Sequence, residues 1–182
     1  MRTDLIGLLS LIYKNVYFKF DYILEEKERR VYILSSKDYV RSLVSCLRYG
    51  SNFFGTRFHD LTAISFLSKQ KNTRNVVLYV FYLPRWNIKL FIVVNVFQQL
   101  STISDFFSGA SWPERECYEM FGIGFTSKID SRHLLLDYVF EGHPLVKIFD
   151  VVGYEEIEYN IFENWIVYTV VKLRDDVSIQ WV

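Results

Sequence analysis

Apolar residues recur at two periods along the first hundred positions, and the alternation between them outlines a sequence of elements. From Asp4 to Lys14, Leu5, Leu8, Leu9 and Ile12 fall on one face at helical spacing. From Val16 to Leu24 the pattern turns to alternation, with Val16, Phe18 and Phe20 on one side, which predicts a strand. A charged turn, Glu25 to Arg29, leads to a returning strand over Arg30 to Leu34. Ser35 then stands where it would cap a second helix, with Asp38 at the capping-box position. The apolar stripe of that helix is Val40, Leu43, Val44 and Leu47, and Gly50 ends it. Phe58 to Leu67 reads as a third strand. Asn75 to Leu83 is almost wholly apolar, as expected of a strand covered on both faces. After a turn at Pro84-Arg85-Trp86-Asn87, Ile88 to Phe97 places Ile88, Leu90, Ile92, Val94 and Val96 on one face and Lys89 and Asn95 on the other. The order helix, two strands, helix, three strands predicts an α+β fold, a two-layer sandwich with helices on one face of one sheet, over residues 1–110.

The next stretch breaks both periods. Ser111-Trp112-Pro113-Glu114 reads as a helix start, with Ser111 as cap, Pro113 in the first turn and Glu114 returning the capping bond. Glu114 and Glu116 lie near the positive end of that helix, Arg115 and Glu119 stand four apart on one face, and Gly122 offers a left-handed stop. From Gly122 to Phe149 the spacing is neither helical nor alternating. It predicts an ordered extended loop, turning at Glu141-Gly142 and His143-Pro144, so that residues 111–158 form a short helix plus a long loop. Arg115, Arg132, Asp137, Glu141 and Lys147 alternate in sign through this aromatic-rich segment, and buried charges are stable only when paired. Arg115 and Arg132 are therefore expected to bond carboxylates such as Glu119, Asp137 or Glu141. Residues 159–182 read as an extended tail carrying Trp165, Tyr168, Leu173 and Trp181. So many large apolar groups imply that the tail packs on something, either a partner or the domain's own sheet.

Composition narrows the function classes. The 182 residues are 51% hydrophobic and 18% aromatic, more apolar surface than one small domain needs, which points to burial against partners. Biased base composition would also inflate Phe, Tyr, Ile and Asn. Lysine plus arginine balance aspartate plus glutamate at 21 each, and no basic block of the kind a nucleic acid requires is present. Cys46 and Cys117 stand far apart, too few for an iron–sulfur cluster, and read as two buried reduced thiols. No stretch reaches the roughly 20 apolar residues that span a bilayer.

Three constellations bear on catalysis. Glu114, Glu116 and Glu119 resemble an acid–base set, but carboxylates in a first helical turn usually serve caps and the helix dipole. Cys117 with His133 or His143 would make a nucleophile–base pair, yet neither a glycine-rich oxyanion loop nor a third orienting group accompanies them. His59, His133 and His143 are spaced too widely for a compact metal motif. Phe121-Gly122-Ile123-Gly124-Phe125 follows a helix instead of a strand, so it is no nucleotide loop. These readings leave the catalytic, cofactor-binding and metal-binding sets empty.

The run Glu114-Arg115-Glu116, Glu119-Met120-Phe121-Gly122-Ile123 resembles the signature of mitochondrial NADH dehydrogenase subunit nine, the thirty-kilodalton subunit family of respiratory complex I. The resemblance continues through Arg132, Leu135, Asp137, Tyr138, Phe140, Glu141, Gly142, His143, Pro144 and Leu145, and ends on Lys147, Phe149, Gly153, Tyr154 and Glu156. This chain departs from the pattern at His133, where the family has arginine, at Val139, where it has glycine, and at Val146 to Asp150, where it reads Arg-Lys-Asp-Phe-Pro. The resemblance implies a two-layer α+β domain and a structural subunit of the hydrophilic arm, on the matrix side of the mitochondrial inner membrane. There it would support electron transfer from NADH to ubiquinone, with NADH, FMN, the iron–sulfur clusters and ubiquinone all bound in other chains. It also implies that the C-terminal segment clasps the large quinone-site subunit, and the size of Trp165 and Tyr168 predicts that they are buried in that contact. A chain with little sign of a transit peptide would then be made inside the organelle or be a mature form. The rival readings are a plastid or bacterial equivalent, a free adaptor domain, and a stand-alone hydrolase using Cys117.

Overall fold

The computed structural model describes residues 7, 10, 12, 21–25, 28–67, 73–96, 99–150, 153 and 155–171. Its elements are β1 (Asp21–Glu25), β2 (Arg30–Ser35), α1 (Val40–Tyr49), β3 (Arg57–Leu67), β4 (Thr73–Leu83), β5 (Ile88–Val96), β6 (Gln99–Ser101), α2 (Ser111–Phe121), β7 (Gly124–Thr126), β8 (Glu155–Asn160) and β9 (Trp165–Val170). The fold is mixed α+β, as the periodicity predicts. Strands β1 to β5 form one sheet in the order β1-β2-β5-β4-β3, antiparallel except for the parallel pair β2–β5. Of the predicted first helix, Gly7, Ser10 and Ile12 are helical and Ile12 is buried, while Leu5, Leu8 and Leu9 lie outside the described residues. Val16, Phe18 and Phe20 lie outside them too, as do Tyr154, Leu173 and Trp181.

The alternation of β2 to β5 sorts side chains by face. Val31 and Ile33, Leu90 and Ile92, Val77 and Tyr79, and Leu61 and Ala63 stand opposite one another across the register and are buried. They share one core with Val40, Leu43, Val44 and Leu47 of α1 and with Cys117 of α2, and each such large side chain contributes roughly 1.5–3 kcal/mol by leaving water. The expectation that Asn75 to Leu83 is covered on both faces is corrected. Its odd-numbered residues are buried, but Val76, Leu78, Val80 and Tyr82 on the other face are only half-buried. The Ser35 cap is corrected as well. A 3-10 turn over Lys37–Tyr39 precedes α1 without a side-chain cap, and the Ser35 hydroxyl donates to the Ser36 carbonyl instead.

The core continues past β5. Leu100, Ile103, Phe107, Ala110 and Ile123 complete it, and the short parallel pair β6–β7 ties the segment before α2 to the segment after it. Contacts group residues 1–149 into one compact unit and 150–182 into a second, where the pattern suggested breaks at 110 and 158. Within the second unit β8 and β9 form an antiparallel hairpin with a turn at Asn164, instead of a single extended tail. Ile157, Tyr159, Ile166, Tyr168 and Val170 share one face of that ribbon with Glu155, and Glu156, Glu158, Trp165 and Val167 stand on the other, so Trp165 and Tyr168 lie on opposite faces. No helix among the described residues is long and apolar enough to cross a membrane.

Candidate subunit interface

Helix α2 organises the signature segment through its buried charges. Glu114, Arg115, Cys117 and Glu119 are its buried residues, while Glu116 faces solvent. The predicted capping box does not form. A 3-10 turn at Ser108–Ala110 runs straight into the helix, the Ser111 N–H bonds the Ser108 carbonyl, and no side chain caps. Glu114 is instead fully buried, and its carboxylate accepts from the Thr102 hydroxyl at 2.7 Å, the Ile103 N–H at 2.8 Å and Lys128 Nζ at 3.2 Å. Lys128 also donates to the Ser111 carbonyl at 2.7 Å. Burial lowers the Lys128 pKa, and the adjacent Glu114 only partly offsets that. The pair thus bolts the loop after β7 to both the start of α2 and the end of β6.

Arg115 and Glu119 do not pair with each other. The Arg115 guanidinium donates to the carbonyls of Arg132, at 2.8 Å, and His133, at 3.0 Å, and lies 3.6 Å from Asp130. One turn on, the Glu119 carboxylate accepts the backbone N–H groups of Leu134, Leu135 at 2.8 Å and Leu136 at 3.1 Å. Burial pushes the Glu119 pKa up, but these donors and nearby His133 outweigh it, so the carboxyl stays below its ordinary range. Two oppositely charged side chains therefore hold consecutive stretches of one loop, Arg115 through its carbonyls and Glu119 through its N–H groups. This answers how irregular backbone is satisfied without secondary structure. The expectation that Arg132 binds Glu119, Asp137 or Glu141 is corrected. It forks onto Asp130 at 2.9 and 3.0 Å, stays largely exposed, and holds the Asp130 carboxyl well below the usual range.

The loop then returns to the C-terminus of α2. Gly122 ends the helix in the left-handed region, at φ 69°, as predicted. The ring of His143 lies against it, with Nδ1 2.8 Å from the Glu119 carbonyl, and the Leu145 N–H donates to the Met120 carbonyl. Gly142 is at φ 118° with the Phe149 ring over it, Pro144 is half-buried, and the Lys147 N–H points at Ser65 Oγ 3.4 Å away. Asp137 accepts the Tyr138 N–H, and Tyr138 leans on His133 at 5.0 Å. Glu141, Lys147 and Gly153 are exposed. So are Leu135, Tyr138, Val139, Phe140, Leu145 and Ile148, which present an apolar outer surface. In the hairpin, Trp165 and Tyr168 are exposed too.

Cys117 is buried, and desolvation with the charges of Glu116, Asp60 and Glu114 pushes its thiol up to about 12, so it stays protonated. His59 sits at the β3 bulge, away from the Glu119 contacts of His143, and among the described residues no three His, Cys, Asp or Glu side chains are grouped to hold a metal. Arg115 and Lys128 line a cavity of about 230 Å³, but both heads are already engaged. Thr102, Lys128 and Asp130 were not anticipated. Lys128 and Asp130 are polar positions of the loop, and nothing in their local pattern signals partners far along the chain.

Residues 33–155 match the model of the respiratory-chain NADH dehydrogenase 30 Kd subunit. The chain belongs to that family. Relatives of this thirty-kilodalton-family chain include NADH-ubiquinone oxidoreductase subunit 9 of Acanthamoeba castellanii, 32% identical over 94% of this chain and 86% of that protein. A subunit of the NADH-quinone oxidoreductase of Brucella ovis is 38% identical over 75% of this chain and 69% of its own length. In fold, the family chain is similar to a chain in the membrane-bound sulfane sulfur reductase, an archaeal respiratory membrane complex. The TM-score is 0.70 at 17% identity, over 97% of this chain and 98% of that one.

Proposed function

We propose that the chain is a structural and assembly subunit of the hydrophilic arm of respiratory complex I, on the matrix side of the mitochondrial inner membrane. In this reading it supports electron transfer from NADH to ubiquinone coupled to proton translocation and binds no cofactor itself. NADH, FMN, the iron–sulfur clusters and ubiquinone sit in neighbouring subunits. The observation that carries the reading is the use made of the charged signature residues. Glu114, Arg115 and Glu119 face inward and hold backbone, which leaves apolar side chains from Leu135 to Ile148 outward. Such a surface fits a protein interface better than a reaction centre. The mitochondrial setting rests on the Acanthamoeba castellanii relative, which matches over more of the chain than the Brucella ovis one does. The large quinone-site subunit is the principal partner in this reading.

The hairpin supplies a second contact. An isolated two-stranded ribbon is marginally stable in water, so the apolar face of β8–β9 needs a partner. Deleting residues 150–182 should leave residues 1–149 cooperatively folded but strongly reduce incorporation into the complex, as read by native gels. Full incorporation of the truncated chain would overturn the role given to the hairpin. A large fall in electron-transfer rate per assembled complex, with assembly intact, would point to a catalytic part instead.

A further inference from the structure

Charge is spread unevenly along this chain. Residues 150–182 hold seven acidic side chains against two basic ones, Lys172 and Arg174, in a chain whose overall balance is zero. Four of the seven, Glu155, Glu156, Glu158 and Glu163, lie in the β8–β9 hairpin, and no lysine or arginine stands between Glu155 and Val170. The register sorts the ribbon into two unlike faces. Glu155 opposite Val170, Ile157 opposite Tyr168 and Tyr159 opposite Ile166 make one. Glu156 opposite Thr169, Glu158 opposite Val167 and Asn160 opposite Trp165 make the other. The five apolar side chains of the first face are all open, from 52% exposed at Ile166 to 75% at Val170. Covering that face removes apolar surface from water, whereas covering the other would bury the carboxylates of Glu156 and Glu158. Glu155 closes one end of the apolar strip, and Glu163, in the turn, stands at the other.

We infer that the hairpin docks through its Ile157–Tyr168 face onto a basic surface of a neighbouring subunit, with Tyr159 and Tyr168 inside the contact and Trp165 outside it. The inference rests on the assembly role proposed above and adds the chemistry of the hairpin's partner. That partner presents an apolar strip of roughly 20 Å, the length of six strand residues, bordered at its ends by lysine or arginine. Charge complementarity selects this occupant. The same carboxylates oppose a nucleic acid or an anionic lipid surface. They also oppose a second copy of the hairpin, which would bring one acidic ribbon against another.

The test compares oxidative footprints of the free full-length chain and of the assembled complex. Tyr159 and Tyr168 should become protected on assembly, while Trp165 stays labelled. In full-length chains, Tyr168→Ala should lower incorporation about tenfold and Trp165→Ala by less than about twofold. Glu155→Gln with Glu163→Gln removes charge with little change of shape. That pair should slow incorporation at low salt, and its deficit should shrink as salt is raised, since rim charges act on association rate and are screened. The inference is overturned if Trp165 is protected as strongly as Tyr168, or if the glutamine pair incorporates at the natural rate in low salt. It is overturned equally if the free chain binds vesicles containing an anionic phospholipid and Tyr168→Ala abolishes that binding. A complex that holds the chain with its hairpin unprotected overturns this contact alone, whereas a chain found in no complex overturns the function proposed above as well.

Discussion

Gly122 and His143 interlock at the end of α2. A Cβ at Gly122 would lie 2.7 Å from Cδ2 of the imidazole, and the glycine itself is held at φ 69°. Both a conformational and a steric penalty therefore attach to any side chain there. Gly55 has a similar φ of 83° but open space around it. Gly122→Ala should cost roughly 1–3 kcal/mol, more than Gly55→Ala, because only the first adds a clash to the backbone strain. Denaturant unfolding of the two variants measures the difference, and equal losses would show that His143 yields freely.

Glu119 gives the loop an acid-labile anchor. Its carboxyl lies below the ordinary range in the folded chain, so the unfolded chain binds more protons as pH drops. Its stabilisation is complete above the unfolded value of about 4.3 and is lost as pH falls through the lower folded value. Glu119→Gln should remove that part of the acid dependence and speed amide exchange at Leu134, Leu135 and Leu136. Glu116→Gln, on the exposed side, should shift stability by no more than about 0.5 kcal/mol. An unchanged acid limb in Glu119→Gln would show that the anchor does not titrate.

The Glu114–Lys128 pair is buried at both ends. Removing only the carboxylate in Glu114→Ala leaves an ammonium without its partner and should cost about 3–5 kcal/mol. Replacing both partners, as Glu114→Gln with Lys128→Met, should recover part of that loss. A double-mutant cycle by chemical denaturation checks the coupling, and additive losses would deny it.

Cys117 should be inert. A thiol that titrates near 12 inside the core offers negligible thiolate at pH 8, so alkylation of the native chain should spare it and proceed only after unfolding. In the assembled complex, Cys117→Ala should leave the electron-transfer rate unchanged. Fast native alkylation at Cys117 would reopen the hydrolase reading.

Elements whose identity is a local property were readable from the residues alone. The alternation of Ile88, Leu90, Ile92, Val94 and Val96 marks a strand because side chains two apart share a face, and all five are buried. The Val40, Leu43, Val44 and Leu47 stripe likewise predicts α1, since helical spacing puts them on one side. The family signature from Glu114 to Glu156 was also legible, and so was the helix stop at Gly122. Tertiary structure alone decided what the charged residues of that signature bind. At short range Arg115 had Glu119 four residues away and Glu114 had the free helix start, but each found better partners far along the chain. A buried guanidinium needs several acceptors and a buried carboxylate several donors, and one opposite charge on the same helix face cannot supply them. The carbonyls of Arg132 and His133, the N–H groups of Leu134 to Leu136, and the Thr102, Ile103 and Lys128 cluster do supply them, and only the folded chain brings them together.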